Sequence, residues 1–580
     1  MASVVLALSA AVPGLAAQES GPHLTAVTAV DSAYIEQVLD SLPLRARVAQ
    51  VIMPWLPGSY AAFDDSAFGV MQGWVDSFAV GGIIVSVGSP LDVAMKLNRL
   101  QRRSALPLLV AADLESGASF RLNGATPFPT NMGVAAAGSE QDAYEVGRIT
   151  ALEGRAVGIR LAFAPVADVN NNPANPIINT RSFGEDPYQV GRLVAATVRG
   201  MQDQGMLATV KHFPGHGDTE TNSHLALPVI NSSWPRIDSL ELVPFRAAIE
   251  AGTAMVMSGH ITMPAIASSP HRPATLDPAL LTGVLRDSLH FHGVVVTDAL
   301  DMGGIVNTYG AGEAAVLAFL AGADLLLQPA DPKQAIDALT DAVESGRVTF
   351  ERLDRSVRRL LYLKLRLGLF ARRTVSLDSI PAIVGSARFL ETARDIAQRA
   401  VTLVSDSAGT VDSLRARPRS IALITYGEEN AGSVGNGLLK QLRGAGHRVT
   451  LFRLWPASGP ASLDSARAVI RANPYTLFAA SVKANAWHGT ITLPEDVARL
   501  MEEAGRKHRM VLVSFGSPYI GAQVPHLKSY LLAWSGNGLS EWAAGRALTG
   551  EAPINGHLPV SLPPAIPLGW GIERGVRNQR

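Results

Sequence analysis

The sequence predicts an α/β protein, with a (β/α)8 TIM-type barrel followed by an α/β/α sandwich domain. Short apolar runs alternate with amphipathic stretches across residues 30–370, which is typical of repeated β–α units. Roughly eight such units over about 340 residues fit a closed (β/α)8 barrel with insertions. A second alternating section follows, and the 580 residues are enough for two domains that each bury a core.

The predicted barrel strands share one feature, which is that polar side chains follow directly where the apolar run ends. The strands are predicted at residues 51–55, 82–86, 108–112, 161–165, 208–211, 254–258, 294–298 and 324–328, and the helices between them include 91–103, 141–157, 189–204 and 240–251. The side chains at the strand ends are Asp113, Glu115, Asp168, Lys211, His212, His260 and Asp298. The carboxyl ends of barrel strands form the face that carries active sites.

A second domain is predicted at residues 396–580, after a helix over 350–367 and a linker at 371–395. Its strands are predicted at 401–404, 420–425, 448–453, 476–482, 510–515 and 530–534, with helices such as 435–445, 462–472 and 494–507. Strands and helices that alternate in this way favour an open, doubly wound sheet covered on both faces.

Composition excludes several classes of protein. Lys and Arg total 50, as do Asp and Glu, and there is no basic stripe or polybasic segment, so we expect neither nucleic acid nor stable membrane insertion. The absence of Cys excludes disulfides, thiolate metal sites and cysteine nucleophiles. A neutral or weakly charged substrate is therefore expected.

Residues 1–17 are predicted to be a signal peptide. The segment is apolar, and small residues at Gly14 and Ala16 suit cleavage after Ala16. It is too short to span a bilayer, which takes about 20 residues. The alternative is a disordered, Ala-rich tail. Export to the periplasm or the medium is therefore predicted.

The Gly-rich loop over residues 211–224 follows the apolar run 206–210 and contains three His, one Lys and two carboxylates. Such loops place proton-transfer groups over a rigid scaffold. His224 is the candidate proton donor, because imidazole titrates near neutrality; the alternative is a hydrogen-bonded scaffold residue. His216, between two glycines, is expected to bond the backbone and hold the loop.

Asp298 ends a second apolar strand, where a carboxylate is placed to act as a nucleophile. The alternative is a carboxylate that caps the next helix. Asp301, deeper in the loop beside glycines, is expected to be structural. The side chains expected to bind sugar hydroxyls are Asp113, Arg121, Arg181, Lys211 and His212. Each of these alone could equally be an ion pair, whereas together they favour a polyol pocket.

We predict no metal and no cofactor. The residues His212, His216, His224 and Asp218 resemble a ligand set, but their spacing is not that of a known zinc motif. Neither a Walker A loop nor a G-x-S-x-G elbow occurs.

These motifs together resemble glycoside hydrolase family 3, in particular its bacterial β-N-acetylglucosaminidase branch. The resemblance rests on the block over residues 211–224, on Thr297-Asp298, and on the segments 113–121 and 179–187. The C-terminal section resembles the sandwich domain of many members. The resemblance implies an exo-acting, retaining β-N-acetylhexosaminidase that releases terminal N-acetylglucosamine from peptidoglycan fragments or chitooligosaccharides by double displacement. Related β-glucosidases instead take a carboxylate acid/base from the second domain.

The resemblance also assigns roles to individual residues. Asp298 would be the nucleophile and His224 the acid/base, while the five residues predicted for the polyol pocket would bind the glycone. Asn222 departs from the pattern, because the branch usually has Asp there. The amide still orients the imidazole but supplies no charge. We therefore expect either an acid-shifted pH optimum or a charge supplied by Asp218 or Glu220.

Other functions stay open at this point. They are a family 3 β-glucosidase or β-xylosidase, an N-acetylglucosaminide phosphorylase, and a non-catalytic sugar-binding protein in which Asn222 marks decay.

Overall fold

The computed structural model describes residues 28–427, 433–484 and 490–577. The predicted signal peptide at 1–17 lies outside the described residues. Within them, the predicted fold class is confirmed, because a parallel barrel is followed by a separate sheet with helices on both faces.

The barrel is a ring of parallel strands. Between residues 28 and 370 the strand segments are β1 (Ile52–Met53), β2 (Trp55–Leu56), β3 (Gly82–Val85), β4 (Leu109–Ala112), β5 (Leu161–Ala162), β6 (Leu207–Phe213), β7 (Met255–Ser258), β8 (Val294–Val296) and β9 (Leu326–Leu327). Segments β2 to β8 pair in chain order, and Val296 bridges to Leu325 at the start of β9.

Pro54 divides one strand of the barrel into β1 and β2 and lies where the ring closes. On one side, the carbonyl of Met53 accepts from Gln328 N–H at 2.8 Å; on the other, the carbonyl of Pro54 accepts from Ile84 N–H at 3.1 Å. β1 therefore pairs with β9 while β2 pairs with β3, and eight strand positions complete the described barrel.

Helices cover the outside of the ring. They are α1 (Ala29–Ser41), α2 (Leu44–Gln50), α3 (Ser66–Asp76), α4 (Pro90–Arg103), α5 (Asn131–Ala137), α6 (Glu140–Ala156), α7 (Pro187–Asp203), α8 (Trp234–Ser239), α9 (Val243–Glu250), a π-helix at Ala279–Ser288, α10 (Gly303–Tyr309), α11 (Ala311–Ala321), α12 (Pro332–Glu344) and α13 (Phe350–Arg366). The predicted helix over 240–251 begins later, at Val243, after the separate turn α8.

Three of these helices begin with the same local signal. Ser89, Asp186 and Asp331 cap α4, α7 and α12 with their side chains, and Pro follows each at the first helical position. A side-chain acceptor satisfies the first free N–H groups, and Pro has none to leave unpaired. These starts are therefore fixed by local sequence.

In the residues described, no single helix is long and apolar enough to cross a membrane. Helices α10 and α11 are long and apolar enough only when they are taken together, and the chain bends by 109° between them. Most residues of α11 are buried against the barrel.

The predicted linker at 371–395 is largely helical. It contains a 3-10 turn at Leu377–Ser379, the short α14 (Ile380–Ile383) and the first half of α15 (Ala387–Ala400). Phe389 and Ala393 of α15 lie in the barrel core, whereas Ala400 lies in the core of the second domain. Its apolar stripe therefore makes α15 a shared element of both domains, and the segment predicted as a linker is helical and packed from Ala387 onward.

The second domain contains a six-stranded sheet within the described residues. Its strands are β10 (Thr402–Asp406), β11 (Ser420–Tyr426), β12 (Arg448–Leu454), β13 (Tyr475–Ala480), β14 (Arg509–Ser514) and β15 (Ser529–Leu532), and its helices are α16 (Thr410–Ala416), α17 (Asn436–Gly444), α18 (Pro460–Arg471), α19 (Glu495–Lys507) and α20 (Gly538–Thr549). The order is β10-β15-β14-β13-β11-β12, and β10 is antiparallel to its neighbour.

Alternation along the strands produces the two layers of this sandwich. Ile421 and Leu423 of β11 face one apolar core, and Ala422 and Ile424 face the other. Successive side chains of a strand point to opposite faces, so a strand buried on both sides is apolar throughout.

Candidate active site

Strand β6 brings Lys211 and His212 to the carboxyl-terminal face of the barrel. All seven of its residues are buried, and the Lys211–His212 and Phe213–Pro214 peptide bonds are cis. Buried polar side chains need partners, and both residues have them.

Lys211 lies at the centre of a buried ion cluster. Its Nζ donates to Asp113 Oδ1 at 2.8 Å and lies 2.7 Å from Glu115 Oε1. The guanidinium of Arg181 donates twice to Glu115, at 2.8 Å each, and Arg121 Nη2 donates to Asp113 Oδ2 at 3.0 Å. The cluster thus ties the end of β4 to β6 across the short β5.

The charges in this cluster fix one another. Burial alone would raise the carboxyl pKa values, but the adjacent cations outweigh it: the pKa of Asp113 falls and that of Glu115 falls well below its usual range. The carboxylates in turn outweigh the burial of Lys211 and Arg181 and raise both pKa values. All four groups are therefore ionised near neutral pH.

The same cluster presents hydrogen-bonding groups to the cleft. The side chains of Asp113, Arg121 and Arg181 remain 22%, 26% and 21% exposed, whereas those of Glu115 and Lys211 are almost fully enclosed. An exposed carboxylate beside guanidinium N–H groups suits adjacent sugar hydroxyls, which donate and accept at once.

His212 is held by Asp168. Its Nδ1 lies 2.7 Å from Asp168 Oδ2, while Asp168 Oδ1 accepts from the backbone N–H groups of His212 and His216 at 3.2 and 2.7 Å. Burial of Asp168 is outweighed by His212 and these donors, so its pKa is lowered. Since Arg181 can only donate, its Nη2 at 3.4 Å from His212 Nε2 places the ring proton on Nδ1.

The loop after β6 depends on two glycines. Gly215 has φ +132°, and a Cβ at Gly217 would lie 1.7 Å from the carbonyl oxygen of Val169. His216 between them is a scaffold residue, but its ring bonds the Thr219 and Ser223 hydroxyls, at 2.7 and 2.9 Å, rather than the backbone as expected. Burial lowers the pKa of His216 to about 4.

Asn222 fixes the tautomer of His224. One Asn222 side-chain atom lies 3.0 Å from the backbone N–H of His224 and 3.1 Å from its Nδ1. A backbone N–H only donates, so this atom is the amide oxygen. His224 Nδ1 therefore carries a proton, and Nε2 is left for proton exchange.

The charge that acts on His224 comes from Asp298. Burial lowers the pKa of the half-buried His224; Asp298 opposes this, whereas Arg181 and the imidazoles of His212 and His260 reinforce it. Asp218 instead lies 3.9 Å from Arg236, and Glu220 accepts from Asn172 at 3.4 Å. The expectation that Asp218 or Glu220 replaces the missing dyad charge is therefore wrong.

Asp298 follows β8 and is ionised. Its N–H donates to Ser258 O at 3.1 Å, and its Oδ1 accepts from Ala299 N–H at 2.8 Å. Burial would raise its pKa, but electrostatic interactions with His212, His260, His224 and Lys211 outweigh burial and lower the pKa to about 2. Asp301 is distinct, because it accepts from Gln328 at 2.8 Å and has a raised pKa through burial.

Two glycines let the His224 loop approach the Asp298 loop. A Cβ at Gly303 would lie 3.0 Å from His224 O, and one at Gly304 would lie 3.2 Å from Ser223 O. Side chains there would push the loop away from the start of α10. The glycines therefore keep the two candidate catalytic residues on adjoining loops.

The second domain contacts the loop that follows β5. Asn170 Nδ2 donates to the hydroxyl of Tyr519 at 3.0 Å, and Asn179 Nδ2 donates to Ser517 Oγ at 3.3 Å. Asn179 has φ +43° and begins the 3-10 turn that ends at Arg181. The second domain thus supports the turn that positions Arg181.

The predicted site residues all lie on one face of the barrel and are linked by these contacts; they are Asp298, His224, Asn222, Asp113, Arg121, Arg181, Lys211 and His212. Glu115, Asp168 and His260 also lie at strand ends in the sequence, but the sequence pattern alone assigns them no role. His260 bonds Thr275 Oγ1 and Ala299 O, both at 2.8 Å, and so supports the Asp298 loop. The carboxylate two residues after Asp113 was the available signal for Glu115.

Across residues 28–427, 433–484 and 490–577, no group of three or more His, Asp or Glu side chains is arranged to hold a metal ion. The three histidines of the loop are instead bonded to Asp168, to Thr219 and Ser223, and to Asn222.

Comparison with known proteins gives a consistent result. Residues 43–363 match the glycosyl hydrolase family 3 N-terminal domain. A β-N-acetylglucosaminidase/β-glucosidase of Cellulomonas fimi is 33% identical over 505 residues, which cover 83% of this chain and 88% of that protein.

Two solved structures are also similar. A family 3 β-N-acetylglucosaminidase from Paenibacillus sp. str. FPU-7 is 34% identical with a TM-score of 0.80, over 91% of this chain and 100% of that one. The β-glucoside phosphorylase BglX bound to 2FGlc is 28% identical with a TM-score of 0.84, over 92% and 97% of the two chains.

We predict that Glu115→Gln lowers the free energy of unfolding by about 3 kcal/mol near neutral pH, because Lys211 and Arg181 lose a shared buried partner. The folded pKa of Glu115 lies below the unfolded value of 4.5. The contribution of ionised Glu115 to the free energy of unfolding is therefore complete above the unfolded pKa and is lost as pH falls through the folded pKa. Urea unfolding over a descending pH series measures the effect.

Glu495→Gln is the matched control, because Glu495 pairs with Arg499 on an exposed helix face. An equal loss of stability in both variants, or a loss for Glu115→Gln that does not shrink in acid, contradicts the prediction.

Proposed function

We propose that this chain, which belongs to glycosyl hydrolase family 3, is an exo-acting retaining glycosidase that removes terminal β-linked N-acetylglucosamine. The observation that carries the proposal is the pairing of an ionised Asp298 with a half-buried His224 whose Nδ1 is held by Asn222. A nucleophile and a proton carrier on adjoining loops are the parts that double displacement needs.

In the first step Asp298 attacks the anomeric carbon. A bond forms between its carboxylate oxygen and that carbon as the glycosidic C–O bond breaks, and the electron pair leaves with the glycosidic oxygen. Protonated His224 delivers the Nε2 proton to this oxygen. A low nucleophile pKa, about 2, keeps Asp298 ionised while His224 carries its proton.

In the second step water replaces the leaving group. Neutral His224 takes one proton from water through Nε2, the resulting oxygen attacks the anomeric carbon, and the bond to Asp298 breaks. The sugar leaves with retained configuration, because two inversions occur. His224 is again protonated, so the cycle closes without external acid or base.

The ion cluster around Lys211 binds the glycone. Asp113 accepts from a pair of hydroxyls, while Arg121, Arg181 and His212 complete the polar wall. Charges that are already paired and oriented need no reorganisation when the sugar enters.

The choice of N-acetylglucosamine is supported by the names of the relatives and by the loop His. The Cellulomonas fimi relative is named a β-N-acetylglucosaminidase/β-glucosidase, and the Paenibacillus structure is named a β-N-acetylglucosaminidase. Peptidoglycan fragments are the natural substrate we propose, with chitooligosaccharides as the alternative. Export is proposed from the apolar residues 1–17, and N-terminal sequencing of the mature protein tests it.

Phosphorolysis is a second candidate, favoured by the similarity to the β-glucoside phosphorylase. Asn222 is neutral, so the proton carrier has no carboxylate in the position that the branch usually fills with Asp. A phosphate dianion would meet less repulsion there and could replace water as the acceptor.

We predict that Asp298→Asn lowers kcat/KM on an aryl N-acetyl-β-glucosaminide by on the order of 10³-fold or more, because an amide cannot form the glycosyl ester. Asp301→Asn is the control, since Asp301 bonds Gln328, and it should keep most of the activity. Steady-state rates of both variants test this prediction. An Asp298→Asn enzyme as fast as wild type would falsify the mechanism and the site.

We predict that Asn222→Asp moves the basic limb of the kcat/KM profile to higher pH. His224 donates only when protonated, and its pKa is lowered by burial, so the wild-type rate falls as pH rises through a value below 6.5. A carboxylate bonded to Nδ1 raises that pKa. pH–rate profiles measure the shift.

Asp218→Asn is the matched control for this shift, because Asp218 faces Arg236. Its basic limb should stay where the wild-type limb lies. Movement of the limb in Asp218→Asn, or none in Asn222→Asp, rules out the assigned charges.

We predict free N-acetylglucosamine as the main product in phosphate buffer and in a phosphate-free buffer of the same pH and ionic strength. Product analysis by NMR separates the free sugar from its 1-phosphate. N-acetylglucosamine 1-phosphate as the main product would establish phosphorolysis in place of hydrolysis and would leave Asp298 as the nucleophile.

A further inference from the structure

Basic side chains gather at the amino edge of the second sheet. In the parallel register, Ile421 of β11 aligns with Tyr475 of β13, and Tyr475 aligns with Arg509 of β14. Arg419 lies just before β11. First residues of parallel strands share an edge, so sequence positions far apart bring these side chains together.

A surface cavity of about 530 Å³ lies at this edge. The side chains that matter for its charge are Arg417, Arg419, Tyr475, Lys507, His508 and Arg509. Four are permanent cations near neutral pH, although the whole chain has a formal net charge of zero. The positive charge is therefore a local property.

Tyr475 holds two of the guanidinium groups together. The Arg419 and Arg509 carbons lie 5.1 and 5.8 Å from its ring centroid. Both also donate to Ser413 Oγ, at 2.9 and 3.4 Å, and this hydroxyl bonds the Tyr475 hydroxyl at 2.7 Å. Two like charges thus share neutral partners.

Carboxylates do not neutralise this cavity. Among the described residues, no ion pair with Asp or Glu is formed by the four cations of this cavity, which are Arg417, Arg419, Lys507 and Arg509. By contrast, Arg499 and Arg506, which lie on α19 together with Lys507, both form such pairs. Burial would raise the pKa of Tyr475, but the Ser413 bond and the two guanidinium groups lower it. The charged groups that act on this hydroxyl, Arg419 and Arg509, are both positive.

We propose that the amino-edge cavity is a phosphate-binding site. Planar guanidinium groups match phosphate oxygens in pairs, and several cations around one cavity favour an anion with two or more charges. The bound phosphate completes the ion pairs that the cavity lacks. Free phosphate and phosphate groups carried on a larger molecule share this chemistry.

The site is separate from the proposed catalytic centre. Contacts to the barrel come from residues after β14 and β15, such as Ser517, Tyr519 and Trp534, which lie at the carboxyl edge of the same sheet. A phosphate group bound at the amino edge therefore leaves the sugar cleft open.

The test measures binding of inorganic phosphate, tripolyphosphate and citrate to the full chain by calorimetry at constant ionic strength. Tripolyphosphate should bind tightest, and citrate, a carboxylate polyanion, at least tenfold more weakly. Arg417→Gln/Arg509→Gln should weaken tripolyphosphate binding by about tenfold or more, with hydrolysis of the aryl glycoside unchanged. Binding of inorganic phosphate alone identifies free phosphate as the ligand, whereas preference for tripolyphosphate identifies linked phosphate groups.

The matched control is Arg394→Gln/Lys440→Gln, which removes the same charge from another surface cavity, of about 490 Å³, between α15 and the helices α17 and α20. It should bind tripolyphosphate as wild type does, and thermal unfolding verifies that both double variants are folded. Equal weakening in the two double variants, citrate as tight as tripolyphosphate, or no binding of either phosphate ligand overturns the proposal.

Discussion

A single buried ammonium group organises the face that we propose binds the sugar. Lys211 extends from β6 past the two-residue strand β5 and reaches both carboxylates that follow β4. Removing these charges from water is costly, and only several close partners of opposite sign offset the cost. Because Glu115 also holds Arg181 in a fork, one lysine fixes the positions of the anionic and cationic groups that meet the substrate.

Local patterns predict the fold well, because polar residues follow the barrel strands and the central strands of the sandwich are largely apolar. The site was harder, since its bonds join residues far apart in sequence. Nothing in the chain order shows that Asp168 holds His212. Proximity in sequence is also a poor guide to contact, because Asp218 lies only six positions from His224 and yet faces Arg236. Likewise, the polar residues before α15 predict a linker, whereas the buried stripe of this helix joins both cores.

The two domains form one working unit because their strand ends face each other. Hydrogen bonds from Asn170 to Tyr519 and from Asn179 to Ser517 tie the barrel loop to the second sheet, while α15 contributes to both cores. The carboxyl edge of the second sheet therefore supports the barrel loop of the proposed sugar site. Its amino edge carries the unpaired basic side chains that line the amino-edge cavity.

In the proposed mechanism, the neutral Asn222 leaves the charge of the nucleophile Asp298 to control proton transfer by His224. While Asp298 is a free carboxylate, it attracts the His224 proton, whereas Arg181 and the neighbouring imidazoles oppose protonation. Once the sugar is esterified to Asp298, that negative charge disappears and only the opposing groups remain. The imidazole then resists reprotonation by solvent and stays ready to accept a proton from water. The covalent intermediate thus converts its own acid into a base, without a second carboxylate to set the timing.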